Sequence, residues 1–373
     1  MITVQQYREE HEPAVQAFND RLQAGGAAAD LVFYPYAVPR WLAKSDGCDV
    51  FNEYFVALED DTVRGAYALK CQKFLLPDGN VRSIGYYHHV LSEGIVNRSY
   101  ASVGALLLRD AMMRSSLLYC LGMGGYERPL PKMLVGLEWK HCAIPFYFRI
   151  VRPFRFLREM NALRSSRARR LLMDLGAFTG AGWLGWRAWR LLREKSAPPT
   201  HSMSVRTNEP FGDWADCLWH ETKGEYGFTA VRESRTLGRL YHPDAAAHLV
   251  RVRVTHATGD AGWAVVGERR TDAKYGAMRV GSIVDCWARP GDEPAVVSAA
   301  VETLEDRGVD LILTNQSHHR WRRALGRRGF LTAPSTFIFA ASPKLAALLE
   351  PFETTATHMH FTRADGDGLP RNY

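Results

Sequence analysis

The chain is poor in cysteine: Cys48, Cys71, Cys120, Cys142, Cys217 and Cys286 are scattered over 373 residues without a CxxC pair. This spacing argues against a disulfide framework and against a cysteine-rich zinc site, and several of these thiols sit in apolar runs where they pack as small hydrophobes. No uninterrupted apolar run reaches the roughly 18 residues that a membrane-spanning helix needs. The opening residues MITVQQYREEHEPAV lack the basic stretch and apolar core of a secretory signal. Acids are scarce in one region only. Between Arg149 and Lys195 twelve Lys or Arg stand against Glu159, Asp174 and Glu194, so a net +9 sits in one segment of a chain whose formal total is +7. These features read as a reduced, cytoplasmic protein whose basicity belongs to a single stretch.

With 46% hydrophobic and 23% charged residues, the composition is that of an ordinary globular protein. Its length suits two domains better than one core. The pattern then says the same thing twice. From Val81 to Phe148 the anchors are VRSIGYYHHVL, ASVGALLLRDAMM, SLLYCLG, PLPKMLVGLEW and PFYFRI. From Met278 to Phe339 they are MRVGSIVDCWA, EPAVVSAAVETLEDRG, VDLILTN, HRWRRALGRRGF and STFIFA. Both series read strand, turn, helix, strand, loop, helix, strand, with Leu118 matching Leu311 and Phe146 matching Phe337. The expected organisation is a domain over 1–150, a basic helical linker over 151–200, a second domain over 201–350 and a tail over 351–373. Two domains of like plan create a cleft, and clefts bind ligands.

The linker's apolar middle, Leu171 to Trp186, is 16 residues long and contains Asp174, too short and too interrupted to cross a bilayer. At helical spacing Trp183, Trp186 and Trp189 share a broad face with Arg187, Arg190 and Arg193. That face suits plain solvation over a packed Leu side, or docking of 151–195 on an anionic membrane. Nucleic acid is the weakest reading of the charge, because no recognised nucleic-acid module accompanies it. In the tail, Asp365-Gly366-Asp367-Gly368 reads as a turn, since the remaining calcium ligands and the closing Glu are missing.

Two hairpin strands, a central strand, a turn opening a helix, a further strand, then a helix ending in a Gly-aromatic pair before a last strand: this order resembles the acyl-CoA N-acyltransferase (GNAT) superfamily, present in tandem. The resemblance implies an α/β fold of two tandem GNAT-like domains, each a mixed central sheet flanked by helices, with the basic insertion between them. It also implies acetyl-CoA or a longer acyl-CoA as co-substrate. The family holds the coenzyme's pyrophosphate at a Q/R-x-x-G-x-G/A turn, where amides and a helix N-terminus face the phosphates. The matching residues are Arg98, Ser99, Ala101, Ser102, Val103 and Gly104, with Val103 in a small-residue position and Gly104 displaced by one. The second turn, Ala288 to Pro294, carries two acids and two prolines, which repel phosphate and remove donors. The expected division is a coenzyme-binding first half and a second half that shapes the acceptor site.

Acyl transfer to an amine needs a base, a donor for the oxyanion and often an acid for the thiolate. His88 and His89 point to opposite faces of the central strand, so one should face the cleft, and Glu93 follows at the strand's end. Each also has a structural alternative, packing for the histidines and capping for Glu93. The family's acid position is Leu134 in one half and Leu325 in the other, so Tyr126 is the candidate replacement. Asp285, Asn315 and His318 stand at strand ends of the second half, placed to hold an amine-bearing acceptor. The reading is an N-acyltransferase for an amino sugar or another small amine, by resemblance to enzymes of cell-envelope polysaccharide pathways, with a lipid-linked acceptor if the basic segment docks at the inner membrane face. Its rivals are a catalytically silent GNAT-fold protein that binds a ligand or partner, and transfer from aminoacyl-tRNA.

Overall fold

The computed structural model describes residues 1–159, 203–246, 248–270 and 276–366. The first half runs β1 (Ile2–Gln6), α1 (Glu12–Ala24), β2 (Val50–Glu59), β3 (Thr62–Leu75), β4 (Val81–Ser92), α2 (Val103–Arg114), β5 (Leu118–Gly122), α3 (Pro129–Gly136), β6 (Lys140–Ala143), β7 (Phe146–Ile150) and α4 (Pro153–Glu159). The second half opens with β8 (Ser204–Thr207), α5 (Asp213–Thr222), β9 (Phe228–Ala230), α6 (Ser234–Leu240) and α7 (Pro243–Ala246). It continues with β10 (Leu249–His256), β11 (Gly259–Arg270), β12 (Arg279–Ala288), α8 (Glu293–Asp306), β13 (Leu311–Asn315), α9 (His319–Arg327), β14 (Leu331–Ala333) and β15 (Ile338–Ala341). Helices α10 (Pro343–Leu348) and α11 (Phe352–His358), strand β16 (Met359–His360) and a tight helical turn at Arg363–Asp365 follow. The Trp- and Arg-rich stretch, with its expected amphipathic helix, lies outside the described residues. Among the described residues no helix is long and apolar enough to cross a membrane.

Two mixed sheets form, in the orders β1-β2-β3-β4-β5-β15-β6 and β14-β7-β13-β12-β11-β10-β8. In each, the central strand is antiparallel to its hairpin partner and only briefly parallel to the strand after the helix. Strand β4 meets β5 at Gly85–Leu118 and Tyr86–Tyr119, and β12 meets β13 over Val280–Ser282. Beyond these pairs the strands part into a wedge. A bulge interrupts each central strand, at His89–Val90 in β4 and at Val284 in β12.

The halves exchange strands. Strand β15 lies between β5 and β6, with Ala340 opposite both Cys120 and His141, and β7 lies between β13 and β14, with Phe148 opposite both Leu313 and Leu331. Strand β9 adds to β3 and β16 adds to β9, so more of the second half joins the first sheet. Limits drawn at 150 and 350 therefore do not separate the sheets in space. One apolar cluster draws on both halves, with Phe74, Tyr86 and Tyr119 packed against Phe228, Phe339 and Phe361.

The repeat extends to a packing detail. Val103 in the first turn of α2 packs on Gly65 of β3, and Val296 of α8 packs on Gly262 of β11. A Cβ at Gly262 would press on the Trp287 carbonyl and lie 2.7 Å from Val296 Cγ2 and 2.8 Å from Ala288 Cα. Two of these neighbours are backbone and cannot rotate away. The Gly262→Ala protein is expected to lose about 1–3 kcal/mol through overpacking, read as a lower denaturation midpoint at unchanged m-value.

Candidate functional site

The structure fills the expected cleft between the halves with the segment 359–366. By sequence this is part of a tail running into turn residues, yet it is buried along most of its length. The His360 ring contacts the Cys286 carbonyl of β12 at 3.0 Å. Ser317, beyond β13, bonds Phe361 through its amide and its hydroxyl, and Arg363 donates to Asn315 Oδ1 at 3.0 Å. The segment thus occupies the wedge between β12 and β13. On its other side Lys70 donates to the Ala364 carbonyl at 3.0 Å and Tyr119 to the Asp365 carbonyl at 2.8 Å.

At the centre stands Arg232, 2% exposed, just past β9. Its Nε donates to Asp285 at 3.1 Å and its Nη2 to both Asp365 oxygens at 2.9 and 3.2 Å, while Nη1 bonds Thr229 and the Ala230 carbonyl. Tyr241 donates to Asp285 at 2.8 Å, and the Thr362 hydroxyl donates to the same carboxylate at 3.0 Å. Burial pushes the Asp285 carboxyl up, with Arg232 opposing, and burial followed by Asp285 pushes the Tyr241 phenol up. Two carboxylates and one guanidinium are thereby sealed together. Asp285 is consequently not open to an acceptor's ammonium, as the sequence suggested, because Arg232, Tyr241 and Thr362 occupy it. Asn315 is likewise engaged, bonding Arg363 and the Pro145 carbonyl.

The first-half candidates separate. Glu93 is 5% exposed and held by Arg64 at 3.1 and 3.2 Å and by Arg21 at 3.3 and 3.4 Å. A carboxylate clamped by two guanidiniums is a structural anchor, which corrects its assignment as a base. Arg64 also reaches Glu59, to which Tyr100 donates at 3.0 Å, so this cluster braces the 98–104 bend. His89 adopts φ 51° at the bulge, contacts the Val32 carbonyl at 2.7 Å and packs on Phe33 and Tyr34. His88 stacks on Tyr86 at 4.4 Å with the rings parallel, and Tyr86 stacks on Tyr119. Of the pair, His88 therefore faces the seam between the halves. Tyr126 meets His141 Nδ1 at 3.1 Å on the surface, where burial raises its phenol.

The bend itself is exposed at Arg98, Ser99, Ala101 and Ser102. Its first amides are already bonded: Ser99 to the Asn97 side chain, Tyr100 to the Asn97 carbonyl and Ala101 to the Arg98 carbonyl. The donors a phosphate would meet begin at Ser102. Val103, which by sequence crowds the turn, instead points into the core, and a Cβ on Gly104 would meet open space.

Outside the wedge of the second half, a surface groove of about 270 Å³ lies between the start of α8 and α9, lined by Glu293, His319, Arg320, Arg323 and Arg327. Glu293 accepts from the Gly291 amide at 2.9 Å, so the helix start is capped by its own acid. His318, in the acceptor trio by sequence, is fully buried at the head of α9. The residues missed by the sequence reading are Arg232, Tyr241, Lys70 and Asp365, and a lone Arg in the apolar run FTAVRES was their one visible sign.

No protein-family model matches the chain, and no curated protein matches it. Solved structures do. A tandem GNAT protein from the clavulanic acid biosynthesis pathway aligns with 91% of this chain and 98% of its own, at 12% identity and a TM-score of 0.51. The chain has a tandem GNAT fold. Saccharomyces cerevisiae N-myristoyltransferase with bound myristoyl-CoA is similar over 91% of this chain and 82% of its own, at 9% identity and a TM-score of 0.54. A conserved protein of unknown function from Enterococcus faecalis covers 94% and is itself covered over 74%, at 10% identity and a TM-score of 0.50. At such identities the likeness is one of fold. Within the tandem GNAT arrangement, the exchange of β7 and β15 fixes the two sheets to each other.

Proposed function

We propose that the protein transfers the acyl group of an acyl-CoA to the amine of a small acceptor, an amino sugar or a similar molecule, with the donor on the first half. The observation that carries this reading is the contrast between the two wedges. The second is occupied by residues 360–363, whereas in the first half the bend at the start of α2 is exposed and carries the cation of Arg98. The pyrophosphate would lie against Arg98 and the amides from Ser102 to Gly104. A structure of similar fold with bound myristoyl-CoA supports an acyl-CoA donor of this kind.

In the reaction the acceptor amine loses a proton, attacks the thioester carbonyl, and the tetrahedral intermediate expels the coenzyme thiolate. His88, facing the seam, takes the proton. The bulge at His89–Val90 removes main-chain groups from the ladder and supplies a donor for the oxyanion. Asp285, Asn315 and His318 act on the acceptor side as supports of its wall rather than as direct ligands. The basic stretch 151–195 favours a lipid-linked acceptor, since cationic, Trp-bearing segments collect at anionic surfaces.

The test pairs binding with turnover. Acetyl-CoA or a longer acyl-CoA should raise the melting temperature, and thiol release should follow on adding amino sugars. His88→Ala should retain the thermal shift and lose roughly 10²–10⁴-fold in kcat. Stabilisation without thiol release from any acceptor supports the second reading, a catalytically silent GNAT-fold ligand- or partner-binding protein. The observation favouring that reading is that Leu134 and Leu325 occupy the acid positions and the alternative acid, Tyr126, is engaged with His141.

A further inference from the structure

Where β13 passes into α9, two histidines adjacent in sequence turn to one side. His318 is extended at the helix cap and His319 is the first helical residue, and their ring centroids lie 4.4 Å apart. The last residue of α11, His358, comes to meet them, its ring 6.5 Å from His318 and 5.7 Å from His319. One ring nitrogen from each of the three lies within 4.8 Å of the other two. His318 is fully buried, and neither of its ring nitrogens has a hydrogen-bond partner. A buried imidazole in that condition is costly unless a ligand completes it.

We infer that His318, His319 and His358 form a three-histidine site for a divalent cation of the zinc class, which ties the end of α11 to the start of α9. Imidazole suits Zn²⁺, and three protein ligands leave a fourth position for water. Zn–N bonds of about 2.0–2.1 Å place tetrahedral nitrogens roughly 3.3 Å apart, so the cluster must tighten. His319 and His358 are exposed and can turn to do so, while His318 is held edge-on against Tyr226 at 4.7 Å. Two cations oppose the site. Arg320 is matched by Glu225 at 2.7 Å, and Arg323 is exposed and screened. Because His358 directly precedes β16, a bound ion would pin the segment that fills the seam.

The test uses metal-stripped full-length protein carrying Cys217→Ser, since Cys217 is an exposed thiol that competes for zinc. Titration with Zn²⁺ should give one ion per chain and a higher melting temperature, and Co²⁺ should give visible absorption bands of a low-coordinate imidazole site. His319→Ala/His358→Ala should weaken binding by more than about 100-fold, given that loss of a second-shell partner alone costs roughly 10–100-fold. The exposed His220→Ala should bind like the parent. His358→Ala alone, at the rim of the cluster, checks that the loss does not arise from disturbing α9. Affinity weaker than about 1 mM, affinity unchanged by the double substitution, or affinity lost with His220 would overturn the inference.

Discussion

Replacing Arg232 with methionine is expected to remove about 3–5 kcal/mol of stability, because Asp285 and Asp365 then face each other in a sealed site without their guanidinium. The loss carries a pH signature whose sign follows from Asp285. Burial already raises its carboxyl above the ordinary 3.8, and Arg232 is the main force opposing that rise. A group whose folded pKa exceeds its unfolded value contributes stability below the unfolded pKa and loses it as pH climbs through the folded one. The Arg232→Met deficit should therefore be smallest in acid and grow towards neutrality. Urea denaturation of both proteins at about pH 5 and about pH 8 reads this directly. Equal deficits at the two values, or a loss under about 1 kcal/mol, would mean that the network is not the anchor its geometry implies.

Gly104→Trp should abolish acyl-CoA binding while leaving the fold intact. A side chain there meets open space, so the indole adds bulk over the bend without displacing the core. An affinity drop of at least about 100-fold is expected, read as disappearance of the acyl-CoA-dependent rise in melting temperature. The companion Arg323→Glu/Arg327→Glu, in the groove between α8 and α9, should leave affinity within about tenfold of the parent. The opposite pattern would transfer the donor to the second half, with those arginines holding its phosphates.

The repeat was legible because its anchors sit on strand and helix periods that survive in one dimension. Val103 and Val296, each on a strand glycine, show how far the correspondence reaches. The exchange of β7 and β15 was hidden for the same reason. PFYFRI and STFIFA have similar patterns, and pattern alone does not say which sheet receives a strand. At the site, His88 could be narrowed from a pair only by the stacking on Tyr86, which a two-residue alternation does not reveal. Glu93 looked like a base until Arg21, 72 positions away, closed on it. Asp285 needed Arg232 and Asp365, separated from each other by 133 positions, before its burial could be seen as paired. Buried charge is recognised by its partners, and these partners are remote in sequence.

The loan of β15 sets a schedule for synthesis. Leu118 waits for Ser342, 224 positions later, to complete its hydrogen bonding, and Cys120 for Ala340. At about 5–20 residues per second, β5 remains a naked border for on the order of 10–40 s on the ribosome. An uncovered strand border invites pairing with other chains. Nascent copies of this protein should depend on holding chaperones until translation is almost complete.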